Sequence, residues 1–388
     1  MKFVKYLPKF GWDPVVLTVN HQVDEAASGL LSQIPLNVRV YRTRILKKFP
    51  INDLGVKWFP FLLRKANMMV RANRFDVVYL TGDPFVTFWI GYILWLIYKI
   101  PYILDYRDSW STTPYVFPGW KSKLSWIIGR LSEPFLCRRS GAVICVSEHM
   151  KEDLLKLCQN LPSEHSKVIY NGFDEEDFRV IEQTNPPKRI MEHKQKGRWV
   201  WVHVGRLDQF MSSIPLFTAL ATLRDEGQEW VKRIQLIFVG PVDSENVEEM
   251  SKKYGLEDQV EHIETLSHFE AQQYAYHADA LLLFGSHAAQ RLNLKVFEYV
   301  RTGLPILSII HPNGANAQVL HSLGIHTISD PADTNGCRIE VLRLSALMQE
   351  HIEKRQALAR DLYRYERSYL TEQLAKILDL VVMRVKKA

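Results

Sequence analysis

Cysteine is scarce. The 388 residues hold four (Cys137, Cys145, Cys158 and Cys337), none at metal-ligand spacing and most in apolar surroundings. That argues against a disulfide scaffold or a zinc ribbon and fits free thiols in a reducing compartment. Long apolar runs are missing too. The most apolar stretch, residues 85–98 (FVTFWIGYILWLIY), stops at Lys99 and is too short to cross a bilayer comfortably. It reads as a buried crossover helix, with a membrane-interface role for one face left open. There is no low-complexity tract, no short-period repeat and no secretory leader ahead of the first helix. No nucleic-acid motif is present, so nucleic acid is not an expected partner. His262, His268, His277 and His287 lack metal-ligand spacing and read as solvated surface groups.

What is present describes a globular chain of two or more domains, 47% hydrophobic and 24% charged. The net charge of +6 conceals an asymmetry: residues 1–130 carry 18 Lys/Arg against 8 Asp/Glu. A basic first part suggests an anionic partner, either a phosphorylated acceptor or an acidic membrane surface, although a merely basic surface fits as well. Short apolar runs at 15–19, 38–41, 77–80, 102–105, 142–146 and 168–170 read as strands, separated by helical patterns at 59–71, 85–98, 121–138 and 148–159. Such alternation predicts a parallel sheet covered on both faces. Residues 181–197 are polar, include Pro186-Pro187 and show no strand pattern, which makes them the expected linker. The alternation then restarts, with strands at 199–204, 234–239, 260–263, 280–284, 305–309 and 326–328 and a last helix at 366–385. The reading is α/β, two doubly wound parallel-sheet (Rossmann-like) domains facing a cleft: 1–180, a linker at 181–197, 198–361, and 362–388 after the second sheet.

Residues 278–310 (ADALLLFGSHAAQRLNLKVFEYVRTGLPILSII) carry the densest chemistry. A buried strand runs into a helix with Asn293 as the expected N-cap and Gly303 as its stop. Free backbone N–H groups at Leu294, Lys295 and Val296 would then face the strand end, where helix starts attract anions, and Lys295 adds a full charge. Glu298 lies one turn further in. Diphosphate on the N–H groups and ribose hydroxyls on the carboxylate suit this spacing, and so does a plain i,i+3 ion pair on a surface helix. At the end of the 199–204 strand, Gly205-Arg206 offers a guanidinium fork for a diphosphate, or a surface pair with Asp208. In the first domain Asp105, Arg107 and Asp108 follow a buried strand directly. They read as a site, with Asp108 preferred for orienting an acceptor hydroxyl, or as a structural Asp–Arg pair beside a buried Trp110. Ser267-x-x-Glu270 is a capping box with no assigned role.

These segments resemble the retaining glycosyltransferases of the GT-B fold, specifically glycosyltransferase family 4. The family pattern of Glu, seven residues, Glu, and Gly five residues later meets Glu298 and Gly303 here, while its first Glu falls on Gln290. Gly205-Arg206 resembles the family's diphosphate-binding pair, whose later Lys falls on Ser212, so that Lys295 is the substitute cation. Asn171-Gly172-Phe173-Asp174 resembles the Asn-Gly-Val-Asp of the domain crossing and places Asn171 at the cleft. The family His expected around 105–110 is absent.

The resemblance implies a nucleotide-sugar donor held by Gly205, Arg206, Gln290, Asn293, Leu294, Lys295 and Glu298, with the base against the loop ending at Leu266. Asp105, Arg107, Asp108, Arg206 and Lys295 are then the catalytic candidates. The first domain takes the acceptor, a glycan or lipid-linked one, and 362–388 crosses back onto it. There is no Asp-x-Asp, the metal anchor of the other large glycosyltransferase fold, so neither a metal nor another cofactor is expected. The location implied is the cytoplasm, with peripheral contact to an anionic inner membrane face. Two other readings stay open: a nucleotide-sugar 2-epimerase of the same fold, and a weakly active or inactive sugar-nucleotide-binding protein. Family members also begin with a strand and a Gly-rich loop ahead of the helix at 2–10. Their absence is expected to leave strands 15–19 and 102–105 unpaired on their inner edges, and implies a natural start before Met1 or a damaged copy.

Overall fold

The structure, a computed structural model, describes residues 2–20, 33–47, 53–112, 120–159, 161–208, 210–243, 247–286, 289, 291–351 and 358–387. The chain divides into two compact units. One comprises Met1–Val23, Gln33–Tyr170 and Ser368–Ala388, and the other is built chiefly of Asn171–Arg367.

The described residues of the first unit hold six strands, all in parallel ladders: β1 (Val15–Val19), β2 (Arg39–Thr43), β3 (Val78–Gly82), β4 (Tyr102–Tyr106), β5 (Ala142–Cys145) and β6 (Ser166–Val168). They form two sheets, β1-β2 and β3-β4-β5-β6. This corrects the expected edge. Tyr102–Tyr106 is laddered on both sides, by β3 and β5, so the unlinked strand next to the break is β3. An unpatterned run such as YILDY carries no record of how many neighbours it has, and sequence order alone misplaced the gap.

On one face of the larger sheet Ile103, Ala142 and Ile144 pack in a single cluster with Leu370, Leu374, Leu378 and Val381 of the last helix, Arg367–Lys387. On the other, Gly91 of the helix Phe88–Tyr98 brings its backbone so close that a Cβ would stand 2.3 Å from Leu80 and 2.8 Å from Tyr102. The Tyr102 hydroxyl donates to Leu136 O (2.8 Å) of the helix Trp120–Arg139. The apolar run at 85–98 therefore splits into a short 3-10 turn, Phe85–Thr87, and an eleven-residue helix. No helix among the described residues is long and apolar enough to cross a membrane.

The second unit is one six-stranded sheet, ordered β12-β11-β10-β7-β8-β9 and parallel throughout. Its strands are β7 (Trp199–Val204), β8 (Ile234–Val239), β9 (Val260–Ile263), β10 (Ala280–Phe284), β11 (Ile306–Ile309) and β12 (Ile328–Ser329). Central strands β8 and β10 are buried over their whole length, as a sheet covered on both faces requires. The order reverses at β7, flanked by β8 on one side and β10 on the other, so the crevice for a ligand lies at the carboxyl ends of these three.

Residues 181–197 are not a free linker. They contain the helix Lys188–Gln195, whose Ile190 and His193 are buried. His193 and Arg189 both reach Glu261 of β9 (2.7 and 3.2 Å), and Lys194 pairs with Asp279 (2.7 Å). Polar side chains anchor the helix through these pairs, beside its one fully buried apolar side chain, Ile190. One prediction concerns the first unit. Leu374→Ala removes a side chain from the cluster shared by the last helix and β4–β5, and should cost about 2–5 kcal/mol in denaturant unfolding.

Candidate functional site

The carboxyl edge of the second sheet is made close by glycine. Gly205 and Gly240 follow β7 and β8 with φ of +105° and +124°, and Gly205 N–H continues the ladder to Val239 O (2.6 Å). A Cβ on Gly240 would lie 2.9 Å from the Gly205 backbone, and one on Gly205 would lie 2.6 Å from Lys295 Cε. Only a residue with no side chain meets both the dihedral and the contact. Beyond the glycines the two loops run side by side, Leu207 N–H donating to Pro241 O (2.9 Å) and Asp243 N–H to Leu207 O (3.0 Å).

Against this edge stands the eight-residue helix Lys295–Thr302. Its entry differs from the expected one. Asn293 does not cap it; Leu294 occupies the N-cap position in αR conformation, with no side-chain cap. Asn293 instead donates through Nδ2 to Phe284 O (3.2 Å), and its N–H reaches Asn316 Oδ1 (2.8 Å), while Asn316 Nδ2 donates to Arg291 O (3.1 Å). Val296 N–H is taken by Asn293 O (3.2 Å), so of the three amides expected to be free only those of Leu294 and Lys295 have no backbone partner among the described residues. Tyr299 binds the helix to β7, its hydroxyl accepting from Val204 N–H (2.8 Å). At the far end Arg301 forks onto Glu175 (2.6 Å to each carboxylate oxygen) and reaches Glu182 (2.9 Å).

The charged side chains sort themselves in an informative way. Lys295 and Glu298 do not form the i,i+3 pair that their spacing allows. Lys295 turns towards β7, its Nζ 3.5 Å from His203 Nε2, while Glu298 turns towards His268 (3.7 Å), the first residue of the helix after β9. Burial lowers the Lys295 ammonium to about 8 despite the opposing Glu298 and Asp208 carboxylates, and burial raises the Glu298 carboxyl against His268 and Arg367. Arg206 is largely exposed and pairs with Asp243 (3.3 Å), not with Asp208, which takes Arg291 (2.8 Å). Three cations, Arg206, Arg291 and Lys295, thus stand over two carboxylates and two unclaimed helix amides, an arrangement that accepts an anion.

Of the donor-side candidates, Gly205, Arg206, Asn293, Leu294, Lys295 and Glu298 gather at this one edge, and Leu266 lies half-buried in the loop two residues before His268. Gln290 and His287 lie outside the described residues. Asn171 begins the second unit at the Gly172 turn (φ +64°), after which Asp174 caps the helix Glu175–Ile181. Ser267 and Glu270 form the expected capping box. In the first unit Asp105 is buried in β4 and bound to Arg107 Nε (2.7 Å). Arg107 also donates to Ile169 O (3.3 Å) and Tyr79 (3.5 Å) and lies over the Phe3 ring (5.0 Å). That pair is built into the unit's framework. Asp108, two residues beyond β4, is exposed.

Several residues here were not singled out beforehand. His203, Arg291, Asn316 and Tyr299 all shape the edge, and Asp208, expected as a partner of Arg206, instead takes Arg291. Two histidines read as surface groups belong to it as well: His262 contacts Gly240 O (2.8 Å) and His268 faces Glu298. His203 is buried, and desolvation together with Lys295 depresses it to about 3. No cluster of three or more His, Cys, Asp or Glu able to hold a metal occurs among the described residues.

Comparison with known proteins identifies the fold. Residues 1–177 match Glycosyltransferase Family 4. No curated protein matches the chain at a significant level. Among solved structures, a glycosyltransferase from Rickettsia africae ESF-5 superposes with a TM-score of 0.70 at 12% identity, covering 98% of this chain and 93% of that one. The structure described as trehalose-6-phosphate from E. coli bound with UDP-2-fluoro glucose gives 0.69 at 13% identity over 95% and 99%. WaaG, a glycosyltransferase involved in lipopolysaccharide biosynthesis, gives 0.61 at 14% identity over 94% and 99%. The fold is GT-B, that of these glycosyltransferases, and residues 1–177 are similar to glycosyltransferase family 4.

A pH prediction follows from His203. Its folded pKa of about 3 lies below the unfolded value near 6.5, so the unfolded chain binds the extra proton between the two. This group's contribution to stability is complete above about pH 6.5 and is lost progressively towards pH 3. His203→Gln, which cannot titrate, should flatten that part of the stability–pH curve measured by urea unfolding.

Proposed function

We propose that this chain is a glycosyltransferase that moves a sugar from a nucleotide diphosphate to an acceptor hydroxyl with retention at the anomeric carbon, in the assembly of a cell-surface polysaccharide or glycolipid. The observation that carries the reading is the divergence of Lys295 and Glu298. One helix turn presents a cation and two free amides at Gly205 and a carboxylate at the loop bearing Leu266 and His268. A diphosphate fits the first position, ribose hydroxyls the second and a base the loop.

In this mechanism Arg206, Lys295 and the helix start stabilise charge growing on the departing diphosphate, the term that usually dominates such catalysis. The cations are the protein's own, so the proposal calls on no metal and no other cofactor. Asp108 is the candidate for orienting the acceptor hydroxyl, and the leaving phosphate receives its proton on the same face. Asn171 is proposed to line the acceptor side.

The acceptor we propose is lipid-linked, reached at the cytoplasmic face of an anionic membrane. The helices Phe88–Tyr98 and Trp120–Arg139 support this. Trp89 and Tyr92 pack on Phe135 (5.6 and 4.9 Å between centroids), and Leu96, Ile128 and Leu131 extend that strip at one-turn intervals. Leu131 is 75% exposed and Leu96 51%. Among the described side chains of these helices the only acid is Glu133, which is buried, whereas Arg130, Arg138 and Arg139 are exposed. An apolar, aromatic strip bordered by cations and no exposed acid suits an anionic lipid surface.

Two measurements test the proposal. Glu298→Ala should weaken nucleoside diphosphate binding in calorimetry by about 1.5–3 kcal/mol, the worth of a charged hydrogen bond, while the melting temperature holds. Equal affinity in both proteins would remove the ribose contact. Separately, the chain should sediment with vesicles containing anionic lipid and not with neutral ones, and release as salt rises. Leu131→Asp should abolish that binding and leave transfer to a soluble acceptor intact; vesicle binding indifferent to lipid charge, to salt and to this substitution would refute the docking face.

A further inference from the structure

The least explained group at the anion-accepting edge is His203. It stands one residue before the end of β7, on a strand otherwise made of Trp and Val, and is 1% exposed. An imidazole is an expensive core residue unless its nitrogens are used. Both are. Nδ1 lies 2.9 Å from Leu282 O of the neighbouring strand β10, and since a carbonyl only accepts, Nδ1 carries the hydrogen. The ring is held edge-on to Phe284 at 5.1 Å. Buried among apolar rings and next to a lysine it is neutral, so Nε2 is left bare as an acceptor. The Lys295 ammonium meets Nε2 at 3.5 Å, and the Gly205 and Arg206 backbone also lies beside the ring.

We propose that His203 is a positioning residue: its fixed tautomer accepts from Lys295 and seats that side chain across Gly205, where the diphosphate of the donor would arrive. This rests on the nucleotide-diphosphate reading for what Lys295 binds, but not for how Lys295 is held. The geometry supports it from both ends. Lys295 Cε and Nζ occupy the space where a Gly205 side chain would begin, so the lysine's path is fixed by the missing Cβ below and the imidazole beside it. Otherwise the ammonium is faced by Glu298 on its own helix, Asp208 from the loop after β7 and Arg291 from the segment before the helix. Glu298 and Asp208 favour its charged form, and His203 Nε2 offers it an acceptor at 3.5 Å. Arg291 and burial oppose the charged form.

The consequence is a lysine whose charge depends on its acceptor. With the imidazole present it titrates at about 8. Without it the buried ammonium loses a hydrogen bond to its charged form and should deprotonate at lower pH, by about one unit. Anion binding, which needs the proton, should then fail at lower pH too.

The test uses the full chain and two variants, His203→Leu, which removes the acceptor, and His203→Gln, whose amide keeps an acceptor and a donor. First, the Lys295 side-chain resonance, assigned with Lys295→Arg, is titrated by NMR without ligand. Its midpoint should fall by about one unit in His203→Leu and return in His203→Gln. An unmoved midpoint in a folded His203→Leu protein overturns the proposal. Should His203→Leu not fold, Lys295→Met serves instead: the His203 midpoint should rise in it, and an unchanged midpoint overturns the proposal equally. Second, uridine and guanosine diphosphate are bound by calorimetry across pH. Affinity of the His203→Leu chain should match the parent near about pH 6, be about threefold weaker near about pH 7.5 and about tenfold weaker near about pH 9, with His203→Gln following the parent. A uniform loss at every pH would overturn the proposal by marking His203 as merely structural. If neither nucleotide binds the parent while the lysine midpoint moves as stated, the positioning role stands and the donor reading falls.

Discussion

The second unit depends on a close approach of backbone to backbone. At the ends of β7 and β8 the chain must turn within a distance at which a methyl group already collides, and Gly205 and Gly240 meet that demand together. A side chain on Gly240 would push apart the two strand ends on which the loops bearing Arg206, Asp208 and Asp243 are hung, and one on Gly205 would displace Lys295. The lysine that lies over Gly205 exploits the same vacancy. Chemistry at this edge is therefore placed by what is missing from two residues, and the cations are arranged around that space.

Much of the architecture could be read in advance because parallel strands in a covered sheet are continuous apolar runs, and helices between them repeat at 3.6 residues. Ten of the twelve strands among the described residues were visible that way, and so was the helix carrying Lys295 and Glu298; the short edge strands β6 and β12 each share one residue with the run expected there. What periodicity could not show is partnership. An i,i+3 spacing is equally compatible with an ion pair and with two side chains that part for different neighbours, and only the positions of His203 and His268 decide it. His203 was hidden for a related reason. In a strand buried on both faces no alternation distinguishes an inward polar residue from its apolar neighbours, so WVWVHV reads as plain core.

The first unit shows the limit from the other side. Charges after a buried strand suggested a site, yet Asp105 and Arg107 answer each other within the framework, together with Tyr79, Ile169 O and the Phe3 ring. The rule that buried charge must be matched is met in part within the unit: Asp105 Oδ2 takes Arg107, while Asp105 Oδ1 has no hydrogen-bond partner among the described residues. Similarly, residues 181–197 looked like a linker because apolar content was taken as the mark of integration. Ion pairs to Glu261 and Asp279 fasten that helix instead. Asn293 was a sound cap by type, but its side chain was claimed by the end of β10, a competitor that lies nine residues away in sequence.

The Lys295–Thr302 helix is short, about 12 Å from end to end at 1.5 Å per residue. One end is pinned through Asn293 and Asn316, the middle through Tyr299, and the other end by Arg301 between Glu175 and Glu182. A helix fastened at three points has no slack to take up a displacement by bending. It behaves as a lever. A load applied at its amino end is delivered with little loss to the helix Glu175–Ile181, whose cap is Asp174, the last residue of the Asn171–Asp174 turn.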